Sequence, residues 1–269
     1  MFVNLHSLGN VIDMEELYSR NLFYIPEKNQ ESIRKMRLLL GGAGIGSNIA
    51  ECALRFGFEN LTIIDGDKVE LSNLNRQNYT RSDIGKFKAE ALAERLLKIN
   101  PSADIRFHCE FITNDNLHRL IDNCDIAVNA LDFKNEIPLK FDERCRAINA
   151  PILHPYNFGW GGLLMIVTPD SLPISSIMRG SNPQGFELEM AKYVSEYCQF
   201  WNLPENSWLH PIVEDYIRKK NKNCIPQLSV GSWIIGAMCV DAMYRIATGE
   251  PIKVCPKFYL TSMFGDRIR

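Results

Sequence analysis

Residues 37–58, RLLLGGAGIGSNIAECALRFGF, combine a short apolar run, a glycine-rich loop and a segment with helical periodicity. A second apolar run, LTIIDGD at 61–67, follows almost immediately and ends in acidic residues. A strand, a glycine turn, a helix and a second strand in this order are typical of the first βαβ unit of a nucleotide-binding sheet.

Strand-like and helical segments continue to alternate up to about residue 168. This alternation predicts an α/β fold with a doubly wound, mostly parallel sheet of the Rossmann-like type. The predicted division of the chain is a helical N-terminal arm (1–36), a nucleotide-binding core (37–169), an irregular crossover or lid segment (170–225), and a C-terminal helix and strand that complete the same domain (226–269).

The composition excludes several classes of protein. The chain has 269 residues, of which 46% are apolar, and a net charge of −2, so neither wholesale disorder nor a general attraction to nucleic acid is expected. We recognise no signal peptide and no apolar run of spanning length, which predicts a cytoplasmic protein without a membrane segment. The eight cysteines show no pair at the spacing of a zinc site, and we expect reduced thiols and no zinc.

The glycine-rich loop is the first candidate ligand site. Gly41 and Gly46 fit the G-x-G-x-x-G pattern, but the central position is Ala43, with Gly42 and Gly44 on either side. A tight strand-to-helix turn without a ligand would explain the loop equally well. Asp65 lies 19 residues beyond Gly46, at the end of the next predicted strand, where a carboxylate can accept both ribose hydroxyls. The pair favours a nucleotide site formed by these residues.

The following stretch, SNLNRQ at 72–77, separates two kinds of nucleotide site. A dehydrogenase that binds NAD does not need an arginine and several amides directly after the ribose acid, whereas a site that cleaves a triphosphate does. Lys88 follows Arg76 by twelve residues at a predicted helix start, where it could cover a further phosphate. A solvated helix lysine is the alternative for Lys88 taken alone.

Together GGAGIG, DGDKVELSNLNRQ, DIGKFKAE and ALD resemble the ThiF/MoeB/HesA family of adenylating enzymes, whose fold is shared with ubiquitin-activating enzymes. The resemblance implies an enzyme that binds Mg-ATP, adenylates a carboxylate and releases pyrophosphate. In this family the carboxylate is often the C-terminal glycine of a ubiquitin-like sulfur carrier protein. A carrier protein or peptide C-terminus is therefore the expected partner.

The resemblance also assigns roles by position. Asp65 would bind the ribose, with Asp67 in the same nucleotide site. Asn73, Arg76, Gln77 and Lys88 would surround the triphosphate, and Asp132, at the end of the strand in VNALD, would coordinate Mg²⁺. Family members are commonly homodimers in which an arginine of the N-terminal arm reaches the ATP of the partner, and YSRN makes Arg20 the candidate. The predicted catalytic residues are Arg20, Arg76, Lys88 and Asp132.

The sequence departs from the family in three places. Ala43 replaces the central loop glycine and is expected to place a methyl group closer to the phosphates. The paired zinc cysteines of many members are missing. No cysteine stands out as an acceptor for thioester or persulfide chemistry, although Cys198 and Cys224 flank the irregular segment. The stretch HPYNFGWGG at 154–162 either lines a pocket or allows close packing, and His154 is more typical of a packed histidine than of a catalyst.

Three other functions share parts of this pattern. Cyclic threonylcarbamoyladenosine dehydratases, which activate a carboxylate on a modified tRNA base, have these motifs and about this length. The slightly acidic chain argues against tRNA, since RKKNKN at 218–223 is its only basic cluster. A non-catalytic nucleotide-binding scaffold for a partner protein is the second alternative. The third, an NAD-dependent oxidoreductase, is disfavoured by NLNRQ.

Overall fold

The computed structural model describes residues 16–178, 183–219 and 226–263. Within these ranges the chain forms one seven-stranded sheet. The strands are β1 Arg37–Gly41, β2 Asn60–Ile64, β3 Asp104–His108, β4 Ile126–Asn129, β5 Ile152–Asn157, β6 Gly161–Val167 and β7 Phe258–Ser262. The α-helices are α1 Glu27–Lys35, α2 Gly46–Phe56, α3 Lys88–Ile99, α4 Leu117–Leu120, α5 Ile137–Ala147, α6 Phe186–Phe200, α7 Asn206–Lys219 and α8 Ser229–Thr248.

The strand order is β3-β2-β1-β4-β5-β6-β7. Strands β1 to β5 pair in parallel, whereas β6 and β7 add two antiparallel strands at one edge. The chain winds outward from β1 in one direction and then restarts at β4 on the other side. Ligands of doubly wound sheets bind at the carboxyl ends of the strands at such a reversal. The predicted fold class is confirmed, and the site is expected beyond β1 and β4.

The central strands are buried on both faces because helices cover both. Successive residues of β1 point to opposite sides, so Leu38 and Leu40 belong to one core layer and Leu39 to the other. The first layer is covered by α1, α2, α3 and α8, and the second by α4, α5, α6 and α7. This double cover explains why β1 reads as a continuous apolar run.

Helix α8 is the long buried helix that the apolar pattern predicted, and it ends at Gly249, whose φ of +73° caps the helix. By length and hydropathy alone, it is the one helix of the described residues that could cross a membrane. The sequence analysis had expected no apolar run long enough to span a membrane. Ile235, Cys239 and Met243 of this helix are fully buried in the first core layer, and α8 packs on α2 and β6. It is therefore a core helix here.

The segment 170–225 differs from its prediction. Its described part is mainly helical, consisting of α6 and α7, which pack against each other. Phe186, Met190, Val194 and Cys198 recur every four residues along α6 and are buried in the second core layer. The prolines and aromatic residues that suggested irregular structure lie between or inside the helices, as Pro211 does in α7.

The described part of the N-terminal arm packs at the carboxyl end of α2. The Tyr18 hydroxyl donates to the carbonyl of Leu54 (3.2 Å), and the side-chain amide of Asn21 donates to the carbonyl of Phe56 (2.9 Å). Helix α1 follows and contributes Ile33 to the first core layer. Residues 1–15 of the predicted arm lie outside the described residues.

Candidate active site

A cleft of about 1450 Å³ opens at the carboxyl ends of the parallel strands. Its walls come from the loops after β1, β2 and β4, the start of α3, and the turn between β5 and β6. The helices α6 and α7 and residues 226–228 close the far side. Of the predicted site residues, the cleft brings together Gly42, Gly44, Asp65, Asp67, Asn73, Arg76, Gln77, Lys88 and Asp132.

The glycine loop comes close to the loop after β4. Gly42 has a φ of +96°, and a Cβ at this position would lie 2.5 Å from the carbonyl oxygen of Ala130. Both the left-handed backbone and the close approach require glycine. Gly44 borders the cleft, and a Cβ there would lie 3.3 Å from the side-chain nitrogen of Gln77. These two glycines and Ile45 are the loop residues that line the cleft.

The other predicted loop residues pack inward. A Cβ on Gly41 would lie 2.7 Å from the ring of Phe141, and one on Gly46 would lie 3.8 Å from the side chain of Leu40. Neither these glycines nor Ala43 are among the residues that line the cleft. Gly41, Ala43 and Gly46 therefore shape the turn. Their direct contact with a nucleotide stays a prediction.

Ala43 corrects one expectation from the sequence. Its methyl group is fully buried in the first core layer and takes no space from the cleft. Its backbone is fixed on both sides, since the N–H donates to Asp65 Oδ2 (2.6 Å) and the carbonyl accepts from the Tyr79 hydroxyl (2.7 Å). The alanine therefore packs the loop against the sheet where a glycine would leave the position unfilled.

Asp65 joins the loops after β1 and β2. One carboxylate oxygen accepts the Ala43 N–H, and the other accepts the N–H of Asp67 (2.7 Å). Burial raises the pKa of Asp65, although these hydrogen bonds and the nearby Lys88 act in the opposite direction. Asp67 in turn pairs through Oδ2 with the ammonium of Lys88 (3.1 Å), and its carbonyl accepts the Lys88 N–H. Lys88 is largely buried, so its charge is held at the start of α3.

The SNLNRQ stretch forms a tight turn. Leu71–Asn73 is a 3₁₀ turn in which Asn73 Oδ1 accepts the N–H of Glu70 (2.9 Å). The carbonyl of Asn73 accepts the N–H groups of Arg76 and Gln77, which aligns these two side chains along one wall of the cleft. The side-chain oxygen of Gln77 is buried and has no hydrogen-bond partner among the described residues. Asn73 thus has a structural role in addition to its predicted contact with ATP.

Arg76 has a partner that the sequence did not indicate. Its Nε donates to Gln227 Oε1 (2.5 Å), and its Nη1 donates to the Ser72 carbonyl (3.0 Å) and to Asn75 Oδ1 (2.9 Å). The contact with Gln227 spans 151 residues of sequence. No local pattern marks Gln227, which lies between Pro226 and the start of α8.

Asp132 lies in the loop after β4, at the mouth of the cleft. Its carboxylate is exposed and pairs with Lys134 (2.8 Å). The neighbouring N–H of Phe133 donates to Glu187 Oε1 (2.8 Å), so the first turn of α6 holds this loop. Burial raises the pKa of Glu187, with the nearby Asp132 adding to the effect. The sequence analysis missed Glu187 because its contact is tertiary and no spacing reveals it.

A buried polar pair lies behind this loop. His154 Nε2 is 3.0 Å from Asp142 Oδ2, and both side chains are almost inaccessible. The side-chain amide of Asn129 donates to Asp142 Oδ1 (2.8 Å) and borders the cleft at the end of β4. His154 is therefore packed, as expected, and does not reach the cleft. In the same stretch Tyr156 does line the cleft, although its hydroxyl is buried without a partner among the described residues.

The stretch HPYNFGWGG was expected either to line a pocket or to allow close packing, and each interpretation fits a different part of it. Residues 155–160 line the cleft, whereas Gly161 and Gly162 provide close packing. A Cβ on Gly162 would lie 3.1 Å from Ile235 of α8.

Arg20 does not join the cleft of its own chain. It lies in the 3₁₀ turn Ser19–Asn21, which is fastened to the carboxyl end of α2, whereas the cleft lies at the amino end. The eleven residues of α2 separate the two ends by about 16 Å. Arg20 is therefore not part of the cleft of its own chain, and its predicted role in the site of a partner subunit stays a prediction.

The cysteines of the described residues are free thiols. Cys198 is fully buried, and burial raises its pKa to about 11, so it is poorly suited as an acceptor for a thioester or persulfide. Cys224 and most of the basic cluster at 218–223 lie outside the described residues. Within residues 16–178, 183–219 and 226–263, no three His, Cys, Asp or Glu side chains are grouped so as to hold a metal ion.

Sequence comparison gives the chain its relatives. The family model of the ThiF family matches residues 18–269. The chain is 33% identical over 174 residues to the sulfur carrier protein ThiS adenylyltransferase of Bacillus subtilis (strain 168), which covers 62% of this chain and 52% of the relative. The protein of the same name from Escherichia coli (strain K12) is 28% identical over 141 residues, covering 52% and 56%. The chain thus spans about half the length of the curated relatives it matches.

Solved structures share the fold. Escherichia coli MccB, crystallised with AMPCPP and selenomethionine MccA, superposes with a TM-score of 0.66 and 18% identity over 92% of this chain and 71% of that chain. Selenomethionine PaaA superposes with a TM-score of 0.64 and 17% identity over 97% and 72%. At these identities the likeness shows the fold alone.

Proposed function

The chain belongs to the ThiF family, and we propose that it is an ATP-dependent adenylyltransferase acting on the C-terminal carboxylate of a ubiquitin-like sulfur carrier protein or of a peptide. The observation that carries the proposal is the meeting of Arg76, Gln77 and Lys88 with the glycine loop in one cleft at the reversal of the strand order. Two cations beside a glycine-rich turn at the N-terminus of α2 are suited to a triphosphate.

The chemistry agrees with these residue types. An oxygen of the acceptor carboxylate attacks the α-phosphorus, the bond from this phosphorus to the bridging oxygen of the β-phosphate breaks, and pyrophosphate leaves with the electron pair. No proton has to be removed, because a carboxylate is ionised at neutral pH. Arg76 and Lys88 stabilise the charge that grows on the phosphates, and the turn that aligns Arg76 and Gln77 orients the leaving group.

Asp132 would hold Mg²⁺. One carboxylate together with substrate phosphates and water is a usual set of ligands for Mg²⁺. The bound ion would neutralise charge on the triphosphate. Lys134, which pairs with the Asp132 carboxylate in this structure, would have to release it.

The far side of the cleft is the proposed acceptor side. Ala191 of α6 and Leu209, Ile212 and Val213 of α7 line it, so an acceptor tail would lie on a largely apolar wall. Two relatives are named as adenylyltransferases of the sulfur carrier protein ThiS, which supports a carrier protein as the acceptor. The proposal includes a cytoplasmic homodimer in which Arg20 of one subunit serves the site of the other.

The test is ATP–pyrophosphate exchange with the purified protein, supplemented either with the small-protein fraction or with bulk tRNA from its own host. Exchange that requires the small-protein fraction is the expected result. Exchange that requires tRNA would replace the proposal with the dehydratase alternative. ATP binding without exchange in either mixture would contradict adenylation and favour a nucleotide-binding scaffold.

A further inference from the structure

The guanidinium of Arg76 is held by three hydrogen bonds, one from Nε and two from Nη1. Nε donates to Gln227 Oε1, and both hydrogens of Nη1 have acceptors in Ser72 and Asn75. Among the described residues, none accepts a hydrogen bond from Nη2. An arginine has five N–H donors in a rigid plane, so the two donors of Nη2 are left for a ligand in a fixed orientation.

Of the three partners, Gln227 is the one that comes from another part of the fold. Ser72 and Asn75 lie in the same turn as Arg76 and would move together with it. Gln227 lies on the opposite side of the cleft, 151 residues further along the chain, and is half-buried.

The backbone next to Gln227 is firmly attached to the sheet. The carbonyl of Leu228 accepts a hydrogen bond from the Asn157 side chain at the end of β5 (2.8 Å) and another from the N–H of Ser232 in α8. The same Asn157 amide also donates to the Ser232 hydroxyl (2.9 Å). Because the backbone beside Gln227 is held in place, the Gln227 side chain can hold the flexible side chain of Arg76 in one orientation.

We propose that Gln227 is a positioning residue for Arg76, which holds the guanidinium so that Nη2 is presented to the phosphates of ATP. The inference rests on the proposed function, because it takes Arg76 to be a phosphate ligand. A side chain held in its bound orientation loses less rotational freedom when the ligand arrives, and this raises affinity without a new contact. Gln227 lies on the far side of the cleft, as the proposed acceptor wall does, so its contact with Arg76 connects the two sides of the cleft.

Two other roles for Gln227 must be separated from this one. It could contact the nucleotide directly, since it lines the cleft, or it could only stabilise the fold. A positioning role acts through Arg76 and through the phosphates that Arg76 binds. Its loss should therefore weaken ATP more than AMP, and should have no effect once Arg76 is absent.

The experiment measures the dissociation constants of ATP and AMP by isothermal titration calorimetry for the full chain and four variants. The variants are Gln227→Ala, Arg76→Ala, the double variant, and Gln199→Ala, an exposed glutamine of α6 outside the cleft, as the matched control. For Gln227→Ala we expect ATP to bind about 3- to 10-fold more weakly, the value of one hydrogen bond, and AMP to change less than about 2-fold. The double variant should bind ATP as Arg76→Ala does.

Equal weakening of ATP and AMP, or additive losses in the double variant, would overturn the inference. So would unchanged ATP binding in Gln227→Ala when Arg76→Ala binds ATP poorly. If the unmodified chain binds no ATP, the proposed function fails and the inference fails with it.

A second variant guards against misfolding of Gln227→Ala. Gln227→Glu keeps an acceptor for Nε of Arg76. It also places a negative charge beside the guanidinium, and this charge strengthens the contact between the two side chains in the folded protein. We expect Gln227→Glu to unfold at or above the urea concentration of the unmodified chain and still to bind ATP at least about 10-fold more weakly, because the carboxylate opposes the triphosphate. ATP binding equal to that of the unmodified chain would contradict the position of residue 227 beside an arginine that binds the triphosphate.

Discussion

At the scale of single residues, two cations carry the proposed chemistry, and each has a neighbour of the same type outside the cleft. Arg81 and Lys86 lie close to Arg76 and Lys88 in sequence but do not line the cleft. We expect Arg76→Ala and Lys88→Ala each to lower acceptor-dependent pyrophosphate exchange by about 10²-fold or more, because each removes a charge from the developing pyrophosphate. Arg81→Ala and Lys86→Ala should stay within about 2-fold of the unmodified chain.

Exchange by Arg76→Ala at the level of Arg81→Ala would remove this arginine from the mechanism. Circular dichroism spectra of all four variants would show whether a loss of exchange reflects a loss of structure.

A second prediction concerns the backbone of the phosphate loop. Gly42 and Gly85 both have positive φ, +96° and +88°, but a Cβ meets Ala130 at Gly42 and nothing within 4 Å at Gly85. Gly85→Ala therefore adds backbone strain alone, about 1–2 kcal/mol, whereas Gly42→Ala adds a steric clash worth about 1–3 kcal/mol more. Urea unfolding of the two variants measures the difference, and equal losses of unfolding free energy would contradict the close approach of the two loops.

Residues of the candidate site could be predicted from the sequence where they belong to a local sequence motif. Asp65, Arg76 and Lys88 follow a glycine loop at short, regular spacing, and the structure brings them to one cleft. Gln227 and Glu187 were missed because each acts through one tertiary contact, over 151 and 54 residues respectively. The inward packing of the Ala43 methyl also depends on the three-dimensional path of the loop, which the motif does not specify.

At the scale of elements, an ion pair fastens the two strands that flank the reversal of the sheet. The Asp125 carboxylate, just before β4, accepts hydrogen bonds from the backbone N–H (2.8 Å), Nε (3.0 Å) and Nη2 (2.6 Å) of Arg37, the first residue of β1. The Arg37 guanidinium holds the pKa of Asp125 below its ordinary value. Because the pKa is lower in the folded chain, the stabilisation is present above the pKa of the unfolded chain and is lost as the pH falls through the folded value.

We therefore expect Asp125→Asn to lower the free energy of unfolding by about 1 kcal/mol at pH 7, a modest value because the pair is partly exposed. The difference should shrink as the pH falls below about 4. Asp104→Asn is the matched control, since Asp104 pairs with Arg106 on the surface of a single strand, and it should change stability by less than about 0.5 kcal/mol. Urea unfolding at several pH values makes the comparison, and a loss that does not depend on pH would contradict the ion pair as its cause.

The inner strands β1 and β4 of the parallel sheet were predictable because strands buried on both faces have continuous apolar sequences between helices. In the segment 170–225 the sequence suggests a charged helix only around VEDYIRKKNKN, which overlaps the second half of α7. Helix α6 was not predicted, although its apolar residues recur every four positions. What makes both segments helices is the contact of α6 and α7 with the second core layer, which is a tertiary effect.

At the scale of the whole molecule, the position of Arg20 makes a prediction about assembly. This residue lies in a turn at the carboxyl end of α2, whereas the cleft of its own chain lies at the amino end, and the proposed function places it in the site of a partner subunit. Arg20→Ala and Arg76→Ala should each be inactive as homodimers, but a mixed dimer would contain one site with both residues intact. Mixing the two inactive variants should restore up to about a quarter of the original exchange activity, as expected for random pairing in a two-fold dimer.

No recovery after mixing, in a preparation shown by mass spectrometry to contain mixed dimers, would exclude Arg20 from a shared site. A monomer in solution would exclude the proposed homodimer directly.

The central claim is that a carboxylate attacks the α-phosphorus of ATP, and trapping the product tests it most directly. The protein is incubated with the small-protein fraction of its host and ATP labelled either at the α- or at the γ-phosphate, and then quenched in acid. We expect the α-label alone to appear on a small protein or peptide and to be released by hydroxylamine, which cleaves acyl adenylates. Transfer of the γ-label, or of no label while ATP is consumed to ADP, would contradict adenylation.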